Sequence, residues 1–507
     1  MQTVAAQWLM LSLTSSAFLI AAISAAGSLP VFLFAIPAGA LGDLLDRKRL
    51  ILATQIVMLA ASALLAVLAA LSDLTPTLLL TLLFVVGCGG AVSAPTWQTL
   101  QPELAPGSRA EAIALGAVNQ NLARAIGPAI GGALLAATAA SVVFGVNALS
   151  FVAVLAAVAL TRLPTRASTL PREHAIDALR AGGRFVAHSP TLLALIIRAA
   201  AFIFPASAMW ALLPLVAHTR LGLGATGYGL LLGCVGVGAL AAATFTPAAR
   251  RRLGPQHLYA ASAGTIAATA AVLALSHSTY LDAAALVAGG CAWIASLGIL
   301  GGAYQSEMPS WVKARGMAYY LVAFQGASAL GSLGFGAIAQ ATSLTDALLV
   351  VCGCLAAALI ATWKLPLPAV APTDPQPGQP WPLPKLDEPE DDAAGPVLVT
   401  VEWSVQPAKL SHFLKLAPEL QRIRRRTGAL SWKLYRQAGH HTDFVETFIV
   451  GSWAEHERQH ARIYPSDRAI FDSLDVTLVV GQQRRATHYL AVRVRRDSSY
   501  ERLLEPR

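Results

Sequence analysis

The sequence predicts an all-α polytopic membrane protein followed by a small α+β domain. Three observations carry this. Of 507 residues, 55% are hydrophobic and only 13% charged, against about a quarter charged in a soluble chain. Apolar runs long enough to span a bilayer recur up to about residue 366 and then stop. About half of the lysines and arginines lie beyond that point, where alternating and amphipathic patterns replace the runs.

The first run, residues 3–14, is a half-span: about 12 residues rise only ~18 Å against a hydrocarbon core of ~30 Å. No basic segment precedes it, so a secretory signal does not fit. The expectation is a truncated first helix in a natural chain that begins upstream. Full spans are predicted at 17–41, 50–71, 78–97, 113–137, 142–160, 192–216, 227–246, 258–275, 283–303, 318–340 and 347–363. With the half-span they make twelve. Residues 1–163 form an N-terminal six-helix half, 164–190 a basic central loop, and 191–365 a C-terminal six-helix half.

Basic residues orient the spans. Arg47, Lys48, Arg49, Arg109, Arg162, Arg166, Arg172, Arg180, Arg184, Arg250, Arg251, Arg252, Lys313, Arg315 and Lys364 fall on one side, and only Arg220 on the other. The positive-inside rule puts the first side, and the C-terminal region, in the cytoplasm. The net charge of +9 therefore reports membrane orientation, not nucleic-acid binding. Cys88, Cys234, Cys291, Cys352 and Cys354 lie in apolar runs without metal or disulfide spacing and read as structural.

The halves echo each other. Gln98-Thr99-x-x-Pro102 with Arg109 beyond it recurs, about 207 positions on, as Gln305-Ser306-x-x-Pro309 with Arg315, as in a parallel transporter repeat. Ala5-Ala6-Gln7-Trp8 likewise parallels Ser207-Ala208-Met209-Trp210. The fifth span is polar where a spanning helix should not be. It carries Asn119, Asn121 and Arg124, with Asn121 and Arg124 on one helix face, then Gly127-Pro128-x-x-Gly131-Gly132. An arginine in hydrocarbon is costly and should face protein or a water-filled path. The proline bends the helix and the glycines admit a neighbour. Arg198 sits close enough to the start of its span to snorkel to the surface.

The loop after the second span runs Gly39, Gly42, Asp43, Asp46, Arg47, Lys48. It resembles the loop signature of the major facilitator superfamily, with Leu44 and Asp46 departing from its usual residues. The resemblance implies that Asp43, with Gly39, Arg47 and Lys48, latches one conformational state. Gly127, Pro128, Gly131 and Gly132 resemble the superfamily's antiporter signature, a helix kink. The family implies secondary transport of a small-molecule substrate across the lipid bilayer, proton-coupled, by rocking of the two halves. No phosphate-binding Gly-x-x-x-x-Gly-Lys-Ser/Thr loop occurs. Substrate contacts are expected near the midplane at Gln98, Asn119, Asn121, Arg124, Trp210, Gln305 and Gln325. The acids Asp43, Asp73, Glu103, Glu111, Asp282, Glu307 and Asp346 all fall near span ends. Glu307 is the deepest candidate for proton coupling.

Residues 366–396 form a proline-rich and acidic linker, expected to be extended. Beyond it, 397–405 alternates as a strand and 408–426 is an amphipathic helix. Strands follow at 430–437 and 444–452 around a turn at Gly439-His440-His441. Helices at 453–462 and 467–474 and a strand at 487–495 complete the pattern. Strand-helix-strand-strand-helix-strand is the split βαβ order of ferredoxin-like folds, over 397–497, with a tail at 498–507. Arg422, Arg424, Arg425 and Arg426 read as solvated, with contact to anionic lipid as the other reading. His456-Glu457-Arg458-Gln459-His460 matches the zinc-protease pattern. No third ligand follows clearly; the nearest acids are Asp467, Asp472 and Asp475. Zinc catalysis is therefore not expected.

The run from Val445 to His460 instead resembles the tail of a bacterial subgroup, the transmembrane secretion effectors, to which the enterobactin exporter belongs in its membrane part. The tail itself is similar to antibiotic-biosynthesis monooxygenase domains, which are dimers. That resemblance implies no metal or cofactor, a homodimer through the tail, and export of a siderophore or drug-like molecule from a bacterial inner membrane. The rival readings are a membrane-tethered monooxygenase and a ligand-sensing protein.

Overall fold

The computed structural model describes residues 1–507 except 105–107, 109–114, 117–122, 124–126, 128–129, 162–174, 310, 369–394, 464, 483 and 492–507. At 39–44, 98–99, 101–104, 175–179, 314, 461 and 465–466 the backbone alone is described. The chain divides into two units: Met1–Leu179 with Thr191–Ala371, and Arg180–Pro190 with Pro372–Arg507.

The described elements of the first unit are helices. Its elements are α1 (Gln2–Leu13), α2 (Ala17–Leu44), α3 (Arg47–Leu71), α4 (Pro76–Leu104) and α5 (Ala140–Leu160). After α6 (Ala175–Ala187), which belongs to the second unit from Arg180 on, come α7 (Pro190–Leu215), α8 (Ala225–Leu275), α9 (Thr279–Ser306), α10 (Lys313–Ala341) and α11 (Leu344–Thr362). Lipid offers no hydrogen bonds, so an apolar run satisfies its backbone internally as helix. The starts are capped where polar chemistry allows: the Asp46 carboxylate accepts from the Arg49 amide at 2.8 Å, and Ser343 Oγ from the Asp346 amide at 3.0 Å.

Among the described residues, nine helices are long and apolar enough to cross a membrane. The remaining expected spans are accounted for individually. The first corresponds to α1, of 12 residues. The fifth falls largely outside the described residues. The eighth and ninth lie together in α8, which is two helices joined at Gly254, where φ is 72° and ψ 164°. Only glycine adopts that backbone readily, and Pro255 then starts the next helix. One feature had no sequence signal: α7 ends in a π-helical turn, Val216–Arg220.

The second unit holds a four-stranded antiparallel sheet of β1 (Val397–Ser404), β2 (Ser431–Arg436), β3 (Asp443–Val450) and β4 (Arg485–Leu490). Its order is β2-β3-β1-β4. Helix α12 (Leu410–Thr427) connects β1 to β2, and α13 (Trp453–Ala461) with α14 (Pro465–Asp475) connects β3 to β4. β1 alternates as expected: Val397, Val399, Val401 and Trp403 face the core, where they meet Phe413, Leu420 and Phe471. The last strand starts two residues earlier than expected.

Candidate functional site

In the membrane unit, buried polar groups gather where α1 meets α7 and α8. The Gln7 amide nitrogen donates to Ser24 Oγ and to the Trp210 carbonyl, both at 3.2 Å. Its oxygen accepts from the hydroxyl of fully buried Tyr228 at 2.5 Å. Trp8 stacks on Tyr228 with ring centroids 5.9 Å apart, and Trp210 packs edge-on against Trp293 at 5.7 Å. Beside this network a cavity of about 150 Å³ is lined by Gln2, Thr3, Ser24, Gly27, Val86 and Gly87 among others. That is smaller than the ~300–1,000 Å³ of typical small-molecule sites. Gln2 accepts from Asn147 Nδ2 at 2.6 Å, which also reaches Ser62 Oγ at 3.3 Å.

The two helical halves touch along α2 and α10. The Ala17 amide donates to Gln340 Oε1 at 2.7 Å, and a methyl group on Gly336 would sit 2.5 Å from Ala21 Cβ. Ser28 and Ser328 share a hydrogen bond at 3.3 Å; Gly326 lies against the Phe32 ring. A second close approach joins Gly132 to Gly229, where any side chain on Gly132 would overlap the Gly229 backbone.

The predicted site residues divide as follows. Trp210, half-buried, lines the Gln7 network. Gln325 is half-buried on α10, one residue before Gly326, and Gln305 is exposed in the last turn of α9. Gln98 and Asp43 lie in helices whose side chains there are not described, as with Gly39. Asn119, Asn121, Arg124 and Pro128 lie outside the described residues. Gly127 and Gly131 approach Met1, and Gly132 meets Gly229. Lys48 donates to the Ala159 and Thr161 carbonyls at 2.8 and 3.1 Å, so it ties α3 to the C-terminal end of α5.

Two charged residues differ from expectation. Arg198 does not snorkel: it is fully buried. It donates to Gln256 Oε1 at 2.9 Å and to the Thr362 carbonyl at 2.8 Å, and lies over Tyr259. Its cation thus caps the end of α11, where unpaired carbonyls carry partial negative charge. Glu307 is exposed at the C-cap of α9. Asp282, in the first turn of α9, is instead fully buried, with Ser276, Arg220 and His277 around its carboxylate. Sequence position alone grouped both acids with the span ends; depth in the packed bundle separates them.

The tail unit has its own polar interior. Arg424 is buried, not solvated: Nε donates to Glu446 Oε1 at 2.8 Å and its guanidinium covers Phe448 at 4.5 Å. Trp432 Nε1 donates to the same carboxylate oxygen at 2.9 Å. Arg426 pairs with Asp467, and Arg422 with Glu419 on the exposed face. Nearby, His456 and His460, one turn apart on α13, bring their Nε2 atoms to 3.2 Å. His488 of β4 packs against His456 with ring centroids 4.8 Å apart. Burial first, then the neighbouring His460 and His488, hold His456 down to about 3; burial and Arg424 lower His488. His456 and His488 are thereby held toward the neutral form that can donate a lone pair to a metal ion.

These helices and their inter-half seams define a membrane transporter fold. Solved structures that share it include two transporters. A nucleoside transporter, NupG, superposes with a TM-score of 0.56 at 13% identity, covering 72% of this chain and 94% of its own. A bacterial homologue of the human lysosomal transporter Spinster, inward-facing and unoccupied, gives 0.55 at 16% identity over 71% and 91%. No curated protein sequence matches the chain. A family model does: residues 1–496 match the transmembrane secretion effectors. The chain belongs to this family, and is a multi-pass membrane transporter of the major facilitator type.

Proposed function

We propose that the protein is a secondary active exporter of a small amphipathic molecule, siderophore or drug-like, driven by protons through alternating access. The Gln7 network carries this reading. It places buried hydrogen-bonding groups of both halves around one amide, next to a cavity too small for such a substrate. Admission of substrate therefore requires the seam to part. Small residues at Gly132, Gly229, Gly326 and Gly336 make it a contact of close-approaching backbones, which can slide or open as rigid bodies.

Arg124, Asn119, Asn121, Gln98, Gln305 and Gln325 remain the proposed further substrate contacts, and Asp43, Arg47 and Lys48 the proposed latch. For the proton, Asp282 is a better-placed acid than Glu307, because a buried carboxyl changes protonation as its access to water changes. The proposed setting is a bacterial inner membrane with the tail in the cytoplasm. The sheet order of the tail supports the ferredoxin-like reading, with monooxygenase-like domains as its relatives and a homodimer as its assembly. The proposed exporter group is that of the enterobactin exporter. The protein is proposed not to be an enzyme; tail deletion that left efflux intact would support this.

The test is efflux from inverted vesicles, comparing siderophores with lipophilic dyes under an imposed proton gradient. Gln7→Ala strands the buried Tyr228 hydroxyl, a loss of about 1–3 kcal/mol, and should lower efflux at least ~10-fold. Asp282→Asn should abolish the dependence on the gradient while Glu307→Gln keeps it. Wild-type efflux by Gln7→Ala at equal protein level would overturn the central site.

A further inference from the structure

We propose that His456, His460 and His488 form a binding site for a divalent transition-metal ion of the zinc type, with a fourth position open to solvent. One ring nitrogen from each histidine lies within 4.8 Å of those of the other two. The closest two, His456 Nε2 and His460 Nε2, are 3.2 Å apart. Two nitrogens each ~2.0–2.1 Å from a tetrahedral zinc ion stand about 3.3 Å apart, so this pair already has the spacing of co-ligands. The i, i+4 spacing on α13 points both rings the same way. His488 comes from another element: it faces Val399 in the β1–β4 register, which fixes it on the core side of the sheet, under α13.

The plainer reading is one N–H···N hydrogen bond between neutral imidazoles, with aromatic packing around it. Two observations go beyond that. His456 is 1% exposed, and its Nδ1 makes no hydrogen bond of good geometry among the described residues, with the Gln459 side chain beside the ring. A pair bond therefore does not exhaust the donors and acceptors of this buried ring. And His460 and His488 are only half-buried, which gives an ion a way in and leaves a coordination position for water. Arg424, whose charge opposes protonation of His456 and His488, is paired with Glu446, and it favours the neutral rings that a metal ion needs. Three imidazoles and no thiolate suit zinc, cobalt, nickel or copper and disfavour magnesium and calcium. Glu457, the acid of the zinc-protease pattern, is engaged by Trp453 Nε1 at 3.1 Å. The inference is therefore a binding site, not a peptidase, and it stands apart from the transport reading.

The experiment uses the full chain in detergent, purified without a polyhistidine tag and stripped with chelator. Equilibrium dialysis with Zn²⁺ should give ~1 ion per chain. Co²⁺ should give the intense visible absorption of a four-coordinate site. His488→Gln and His460→Gln, the half-buried ligands, should each weaken Zn²⁺ binding by at least ~10-fold, with tryptophan fluorescence unchanged as the check on folding. The exposed turn histidines provide the control: His440→Gln with His441→Gln should leave binding as it was. Failure to retain Zn²⁺, or retention lost in the turn variant but not in His488→Gln, would overturn the site.

Discussion

Arg424 and Glu446 show what burial does to a charge. Glu446 is fully buried and takes donors from both Arg424 and Trp432. Removing one member of such a pair leaves the other uncompensated in a low-dielectric interior, at about 3–5 kcal/mol. Glu446→Ala should therefore destabilise the tail by about 3 kcal/mol, seen as a lower thermal midpoint in the emission of Trp403, Trp432 and Trp453. Glu419→Ala, which removes the exposed partner of Arg422, should shift it by under about 1 kcal/mol. Equal shifts in the two variants would show that burial is not what sets the difference. The signal for Arg424 was in the sequence. Phe413, Ala417, Leu420 and Arg424 are spaced 4, 3 and 4 along α12, so Arg424 continues the buried stripe. The four-arginine run hid it, because composition reads as surface. Arg198 was misplaced for a related reason: distance from the helix start suggests snorkelling, but the end of α11 covers it, and only packing brings the two together.

At the scale of elements, hydrophobic runs predicted nearly every helix, since in lipid a long apolar segment has no other way to satisfy its backbone. What they could not predict is contact between elements. At Gly131-Gly132 the sequence implies a kink and room for a neighbouring helix, without saying which. The structure adds that Gly132 faces Gly229, each leaving no room for a side chain on the other. Gly132→Leu should force the two backbones apart and lower both thermal stability, by about 1–3 kcal/mol, and efflux. Gly145 in α5 has open space around its Cα. There Gly145→Ala should be neutral or stabilise by up to about 1 kcal/mol, from helix propensity alone. A thermal series on the two variants checks this, and equal effects would mean that close packing is not why Gly132 is glycine. The histidine cluster was half legible in the same way. The i, i+4 pair is local and visible, but His488 is 28 residues beyond His460 and reaches it only through strand pairing.

For the whole molecule, the question is whether the two halves move at their seam. α2 and α10 run antiparallel, with contacts from Ala17–Gln340 at one end through Ser28–Ser328 to Phe32–Gly326. Among the described residues, the bonds holding them are one amide to a side-chain oxygen and one serine pair, beside small-residue contacts. Each hydrogen bond contributes about 0.5–1.5 kcal/mol net, so rocking that breaks them is within reach of a proton gradient. The repeat in the sequence implied two halves, yet nothing in it said that Ser28 would meet Ser328. With Ser28→Cys and Ser328→Cys in a background where the five native cysteines are replaced, the sulfurs start near bonding distance, because the serine oxygens are 3.3 Å apart. Oxidation should cross-link the pair and cut vesicle efflux to below about a tenth, and dithiothreitol should restore it. Each single cysteine should transport normally under the same oxidant. Full-rate efflux by the cross-linked protein would mean that this seam stays closed through the cycle, and the moving surface would then have to be sought where Gly132 meets Gly229.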